Sequence, residues 1–173
     1  MTDRAAVRLD RLGPHHTLAD FECGHTALDD WLRRHALTAQ RMDAARTFVL
    51  VRGREVLGYF SLTMGSVQRA DAPTKLVRGL PRYPIGMVLL ARLAVDRREH
   101  GKGFGALLLA EALRKSVAAG EAAAARLIVV DAIDESAIGF YARHGFIAVP
   151  EHPDRLYRRL SDVRASLEAT QSE

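Results

Sequence analysis

Apolar and polar positions along the chain change period several times, and each change marks a structural element. The alternating stretch from Val7 to Leu12 predicts a first strand, which Pro14 ends. Leu28, Leu32, Ala36 and Ala39 then recur at helical spacing. Thr26 is the expected N-cap of this helix, with Asp29 three residues on as in a capping box, and the helix runs to about Met42. Thr47 to Arg52 and Val56 to Met64 are rich in β-formers and flank Gly53, which predicts a hairpin. Residues 65–84, punctuated by Pro73, Pro81 and Pro84, predict a long loop holding a short helical turn. Loops of that length inside compact domains are often functional.

Ile85 to Val95 is nearly continuously apolar apart from Arg92, the pattern of a central strand covered on both faces. A glycine-rich turn from Arg98 to Gly105 leads into an amphipathic helix marked by Leu109, Leu113 and Val117. Leu127 to Asp131 predicts a buried strand. Asp134 caps a helix through Arg143, with Gly145 at its C′ position. Phe146 to Val149 and Leu156 to Leu160 supply the last strands, and the polar segment 161–173 is expected to fray as a C-terminal tail. The order predicts one mixed α/β (α+β) domain over residues 1–160, without a regular βαβα alternation.

Composition narrows the function classes. With 173 residues, 48% hydrophobic and 27% charged, the chain falls in the globular range and not the disordered one. No apolar run approaches the roughly 18 residues that span a bilayer. Charge at Asp3, Arg4, Arg8, Asp10 and Arg11 stands where a signal peptide needs apolar residues, so a cytoplasmic protein without direct membrane contact is expected. Cys23 is the only cysteine, which excludes an intrachain disulfide, and the histidines lack metal-ligand spacing, so no metal is expected. The net charge of +4 rests on arginine, with lysine only at 75, 102 and 115. Arginine forks suit phosphate oxygens, which admits a nucleic-acid partner, while GC-rich coding would produce the same bias.

The densest chemistry lies in LLARLAVDRREHGKGFG, residues 89–105. A buried strand enters a turn containing Gly101, Gly103 and Gly105 and then a helix, so backbone N–H groups converge at a positive helix end to make an anion cradle. Arg98 and Lys102 can neutralise charge beside it. Neither a Walker spacing nor a Rossmann acid accompanies the turn.

These residues resemble the GCN5-related N-acetyltransferase (GNAT) superfamily, whose acetyl-CoA loop reads R/Q-x-x-G-x-G/A after the fourth strand; Arg98, Gly101 and Gly103 match it. Residues 134–146, from Asp134 through Tyr141 to Gly145-Phe146, resemble the family's N-x-x-A-x-x-x-Y-x-x-x-G-F signature, with Asp134 in place of the usual asparagine. A carboxylate accepts hydrogen bonds but does not donate as an amide does. The resemblance implies a central, mostly antiparallel sheet flanked by helices, with acetyl-CoA as co-substrate. It further implies that acetyl-CoA is held by Leu93, Ala94, Val95, Arg98, Glu99, His100, Gly101, Lys102, Gly103, Phe104, Gly105 and Asp134. Tyr141 is the implied catalytic residue, a phenol placed to return a proton to the departing thiolate. A narrower resemblance, carried by Phe21 to Gly24, Leu28 to Leu32, Arg46 to Val49, Gly58 to Leu62 and Leu93 to Asp96, is to the acetyltransferase toxins of bacterial toxin-antitoxin pairs. It implies acetylation of the α-amino group of aminoacyl-tRNA, a block of translation, and a ribbon-helix-helix antitoxin as partner. A homodimer is left open.

No glutamate general base stands on the strand from Met87 to Val95. An α-amino group with a pKa of about 7.7 to 8.0 needs less help than a lysine near 10.4, which favours an α-amine acceptor. Arg92 either faces the acceptor and binds tRNA phosphate or is a paired structural arginine. Arg33, Arg34, Arg41 and Arg46 form a basic face or merely a solvated one. His100 is expected to act through its backbone, Cys23 as a small packed residue, and Trp31 as a core anchor. Two competing readings are an acetyltransferase for a small-molecule or protein amine, and a non-catalytic acyl-CoA-binding module.

Overall fold

A computed structural model describes residues 7–80 and 83–172; the expectations for Asp3, Arg4 and Pro81 lie outside the described residues. Seven strands, β1 (Val7–Arg11), β2 (Arg46–Arg52), β3 (Glu55–Val67), β4 (Ile85–Val95), β5 (Leu127–Asp131), β6 (Ile147–Val149) and β7 (His152–Arg159), hydrogen-bond in the order β1-β2-β3-β4-β5-β7-β6. The sheet is mostly antiparallel. β4 and β5 run parallel, with Met87 opposite Leu127 and Leu90 opposite Val130. A parallel pair requires a crossover, and the helix α4 (Phe104–Ala123) provides it.

Contacts within the chain group it into two compact units. The first comprises Met1–Thr63 and Ala91–Ala112. Helices α1 (Thr26–Arg34) and α2 (Ala36–Arg41) precede its β2–β3 hairpin. Leu12, Phe21, Leu32, Ala36, Val49, Val51, Val56, Tyr59 and Ala94 form its core. Each fully buried leucine or phenylalanine there contributes about 1.5 to 3 kcal/mol relative to exposure. The second unit comprises Met64–Leu90 and Leu113–Glu173. Its core joins Leu76 and Val77 from the short helix α3 (Thr74–Val77) to Ile85, Met87, Leu127, Val129 and Tyr157.

Two elements differ most from the sequence reading. The helix expected over residues 26–42 is two helices, because His35 leaves helical geometry at φ −122°, ψ −28°. Apolar spacing passes unbroken through that residue, so periodicity does not register the break. Its N-cap is His25, without a side-chain cap, and Asp29 instead accepts the N–H of Cys23 at 2.9 Å, reaching back past the helix start. The expected fraying tail is a helix, α6 (Leu160–Gln171), anchored by the buried Leu160 and Val163. Those two apolar side chains, three residues apart in a polar stretch, are enough to seat one helical face.

Candidate active site

β4 ends at Val95, and the next residue organises the turn. Asp96, 1% exposed, caps the 3-10 turn Arg97–Glu99 by accepting the N–H of Arg98 at 2.9 Å. It also accepts from the Arg98 side chain at two positions, 3.0 Å each, and from the N–H of Glu22 at 3.3 Å. The N–H of Arg97 in turn donates to the carbonyl of Glu22 at 2.8 Å. Burial works to raise the Asp96 pKa, but these donors outweigh it and hold the carboxyl below the usual range.

Gly101 and Gly103 follow with φ of +79° and +83°, the left-handed region that favours glycine. A Cβ at either would meet nothing within 4 Å, so the space above the turn is open. The N–H groups of Gly101, Lys102, Gly103, Phe104 and Gly105 have no acceptor among the described residues; the first bond of α4 runs from Leu107 N–H to Gly103 O at 3.1 Å. Open space, free donors and a 20-residue helix starting there make the anion cradle read from the sequence.

The charged residues of this turn are spent on one another. Arg98 pairs with Asp96 and with Glu55 at 3.1 Å, and Lys102 with Glu99 at 2.7 Å. Glu99, 7% exposed, also takes Arg52 from β2 at 3.0 Å. Burial would raise its pKa, and the bonds from Lys102 and Arg52 more than reverse that. Arg98 and Lys102 nevertheless stay about half exposed, while the backbone N–H groups are the donors with no internal partner among the described residues. His100 acts through its ring as well, Nε2 donating to the carbonyl of Val95 at 2.8 Å, which ties the turn to the end of β4. Ala94 is buried in the first core, while Leu93 and Val95 are only half-buried.

In the second unit, Asp134 caps α5 (Glu135–Arg143) by accepting the N–H of Ala137 at 2.8 Å, and Gly145 follows at φ +87°. The substitution of Asp134 for asparagine thus keeps the acceptor that the helix needs. Tyr141, 5% exposed, stands edge-on to Phe140 and Phe146 with ring centroids 5.2 and 5.5 Å away. Its hydroxyl has no hydrogen-bond partner among the described residues, and burial pushes its pKa above the ordinary phenol value. A cavity of about 450 Å³ in the same unit has Leu76, Leu127 and Val129 on its wall and Asp131, Asp154 and Arg155 as polar groups. Arg155 is already bound to Asp131 through two contacts of 2.7 and 2.9 Å.

Other candidates resolve differently. Burial pushes the Cys23 thiol up to about 12, so it packs as a thiol and supplies no nucleophile. Of the proposed basic face, Arg33 donates to Phe21 O and Arg46 to Gln40 O and Asp43. Asp10, His15 and His16 come within ligand distance of one another, a grouping that sequence spacing did not reveal. There Gly13 N–H donates to Nδ1 of His16 at 3.0 Å, which leaves Nε2 as the donor to Asp10 at 3.0 Å. Both ring nitrogens of His16 are thereby committed to hydrogen bonds. Asp96 is the residue the sequence reading missed; its signal was a carboxylate ending an apolar strand just before two arginines.

A strand, a glycine turn with free N–H groups and a helix, followed by a helix carrying a buried tyrosine, are the parts of an acetyl-CoA-dependent N-acetyltransferase. The chain belongs to the acetyltransferase (GNAT) family, whose model matches residues 14–146. Its similarity extends to a tRNA-acetylating toxin of Mycobacterium tuberculosis, 37% identical over 155 residues that cover 90% of this chain and 93% of the relative. Among solved structures it is similar to the toxin AtaT complexed with acetyl-methionyl-tRNAfMet, at 31% identity and TM-score 0.85, covering 93% of this chain and 99% of that one. It is likewise similar to a mutant of AtaT bound to acetyl-CoA and the C-terminus of the antitoxin AtaR, at 29% identity and TM-score 0.81 over 94% and 98% of the two chains.

Proposed function

We propose that this protein is a toxin that transfers the acetyl group of acetyl-CoA to the α-amino group of aminoacyl-tRNA, and that an antitoxin of the ribbon-helix-helix type neutralises it. The observation that carries the chemistry is Tyr141, a buried phenol whose hydroxyl is unpartnered and held in its protonated form. Such a group is a proton donor at neutral pH. The likeness to a tRNA-acetylating toxin over nine-tenths of the chain supports the choice of acceptor, and the AtaT–AtaR complex supports an antitoxin partner.

Acetyl-CoA supplies an acyl group on a thioester. The N–H groups of residues 101–105 bind its pyrophosphate, and Leu93, Ala94 and Val95 lie on the strand that leads to them. The neutral α-amine attacks the thioester carbonyl, the C–S bond breaks, and Tyr141 gives its proton to the sulfur and regains one from solvent. The ammonium proton of the attacking nitrogen leaves to water. No carboxylate on β4 is needed, because an α-amine with a pKa of about 7.7 to 8.0, lowered further by the adjacent ester, already has a substantial neutral fraction near pH 7, far more than a lysine.

The test supplies labelled acetyl-CoA to charged tRNA, uncharged tRNA, free amino acids, polyamines and a lysine peptide, then releases label by mild alkaline deacylation. N-acetyl amino acid recovered only from charged tRNA is the expected result. Labelling of a polyamine or peptide with none on charged tRNA overturns the reading in favour of a small-molecule or protein acceptor. Co-expression with an adjacent ribbon-helix-helix frame is expected to restore growth and copurify a complex.

A further inference from the structure

Arg92 is the one charged residue on β4, and it differs from four other arginines of the first unit that are held within the fold. Arg33, Arg46, Arg52 and Arg98 each donate to a carboxylate or a carbonyl. The Arg92 guanidinium is half-buried and has no hydrogen bond or ion pair among the described residues. Its Cζ lies 4.1 Å from the centroid of the Trp31 ring. Trp31 in turn stacks on Tyr59 at 6.1 Å and 15°, and the Tyr59 hydroxyl is occupied by Leu28 O at 2.7 Å. That bond is donated by the hydroxyl, and no hydrogen bond joins Tyr59 to Arg92 among the described residues.

A guanidinium binds an aromatic ring through its face and carboxylates or phosphates through its edge, so the indole leaves the N–H donors free. The side chain is partly buried, which pushes the Arg92 pKa down, while its N–H donors remain accessible to an incoming group. Arg92 is also the residue immediately before Leu93, Ala94 and Val95, the segment of β4 that leads to the cradle.

We infer that Arg92, seated on Trp31, is a substrate-positioning residue that binds a phosphodiester at the 3′ end of the charged tRNA through its free edge, holding the aminoacyl ester beside β4. This rests on the proposed acceptor and takes the phosphate-binding side of the alternative that sequence left open for Arg92. Trp31 fixes the fork's orientation, so the site reads the phosphate geometrically, and lysine cannot replace arginine there without losing the fork.

The experiment compares wild type, Arg92→Gln, Arg92→Lys and Trp31→Phe with two acceptors, charged tRNA and the methyl esters of the same amino acids, which carry no phosphate. Thermal melting and acetyl-CoA affinity are measured alongside. The expected result for Arg92→Gln is a KM for charged tRNA raised tenfold or more, a far smaller loss with the esters, and a salt dependence of tRNA binding shallower by about one phosphate. Arg92→Lys should recover the salt slope but not the KM. Trp31→Phe, which keeps a weaker ring under the guanidinium, should raise the same KM in the same direction. Equal losses on both acceptors, or an unchanged salt slope in Arg92→Gln, would show a brace within the fold and overturn the assignment alone. A wild-type enzyme that acetylates the esters but no charged tRNA overturns the proposed acceptor and this assignment with it.

Discussion

The Tyr141 hydroxyl and the Asp96 carboxyl are perturbed in opposite senses, and each perturbation has a measurable consequence. Burial raises the Tyr141 pKa, so its proton stays on as pH rises past the ordinary phenol value. Turnover should therefore show no alkaline decline from loss of this donor below about pH 10. Tyr141→Phe keeps the ring between Phe140 and Phe146 and removes only the hydroxyl. Acetyl-CoA affinity by calorimetry should be retained while kcat falls by about 10² to 10⁴, the range for general acid catalysis; turnover within a few fold of wild type would take Tyr141 out of the mechanism. Asp96 has its pKa held down by its donors, so its contribution to stability is present above about pH 4 and is lost as pH falls below that value. Asp96→Asn should lower stability at pH 7 by about 2 kcal/mol, the scale for hydrogen bonds to a charged group, with the half-exposed Arg98 keeping the figure at that level. Denaturant melts at pH 7 and pH 3 check this, because the difference between the two proteins should shrink in acid.

Among the elements, the turn from Asp96 to Gly105 is the one proposed to bind acetyl-CoA, through its backbone N–H groups. Gly103→Glu would place both a side chain and a negative charge in the open space where an anion must approach, on a backbone at φ +83°. Calorimetry should show acetyl-CoA affinity reduced by at least tenfold, and unchanged affinity would mean that the pyrophosphate lies elsewhere. Helix α6 makes a contrasting case. Its composition is polar, yet Val163 is fully buried and Leu160 nearly so. Ending the chain at Arg159 removes both, and the cost should be about 3 to 5 kcal/mol, read as a lower denaturant midpoint. A fraying tail would leave that midpoint unchanged.

For the whole molecule the informative quantity is how the positive charge is distributed, since much of it is compensated internally. Arg52, Arg98 and Lys102 are tied to Glu99, Asp96 and Glu55, and Arg155 to Asp131. Exposed arginines such as Arg11, Arg34, Arg41, Arg54, Arg78, Arg126 and Arg143 contribute to the net charge of +4. If charged tRNA is the acceptor, the logarithm of its binding constant should fall linearly with the logarithm of salt, by about 0.7 to 0.9 per neutralised phosphate. A slope corresponding to several phosphates is expected from filter binding across a salt series. A slope near zero would mean that the arginines are occupied within the fold and that the acceptor is not a nucleic acid.

Local pattern by itself determined the strands β4 and β5, the helix from Asp134 to Arg143 and the cradle, because each depends on chain-neighbour chemistry: an apolar run, a cap, a left-handed glycine, a helix end. The same motifs carried the likeness to the acetyltransferase family. What they left undecided depends on residues far apart in the chain. Asp96 reads as a strand-ending acid until Glu22, 74 positions earlier, is seen to donate to it. Arg98 and Lys102 read as ligands for phosphate until Glu55 and Glu99 are found against them. The break at His35 leaves the apolar spacing intact, and the C-terminal helix is held by a core whose other members no local window contains. Arg92 stood as either a paired arginine or a phosphate ligand, and tertiary structure set its guanidinium on the Trp31 ring without a hydrogen bond or ion pair among the described residues. Hydrophobic period and turn chemistry are written along the chain; which charges are spent on one another depends on which surfaces the fold brings together.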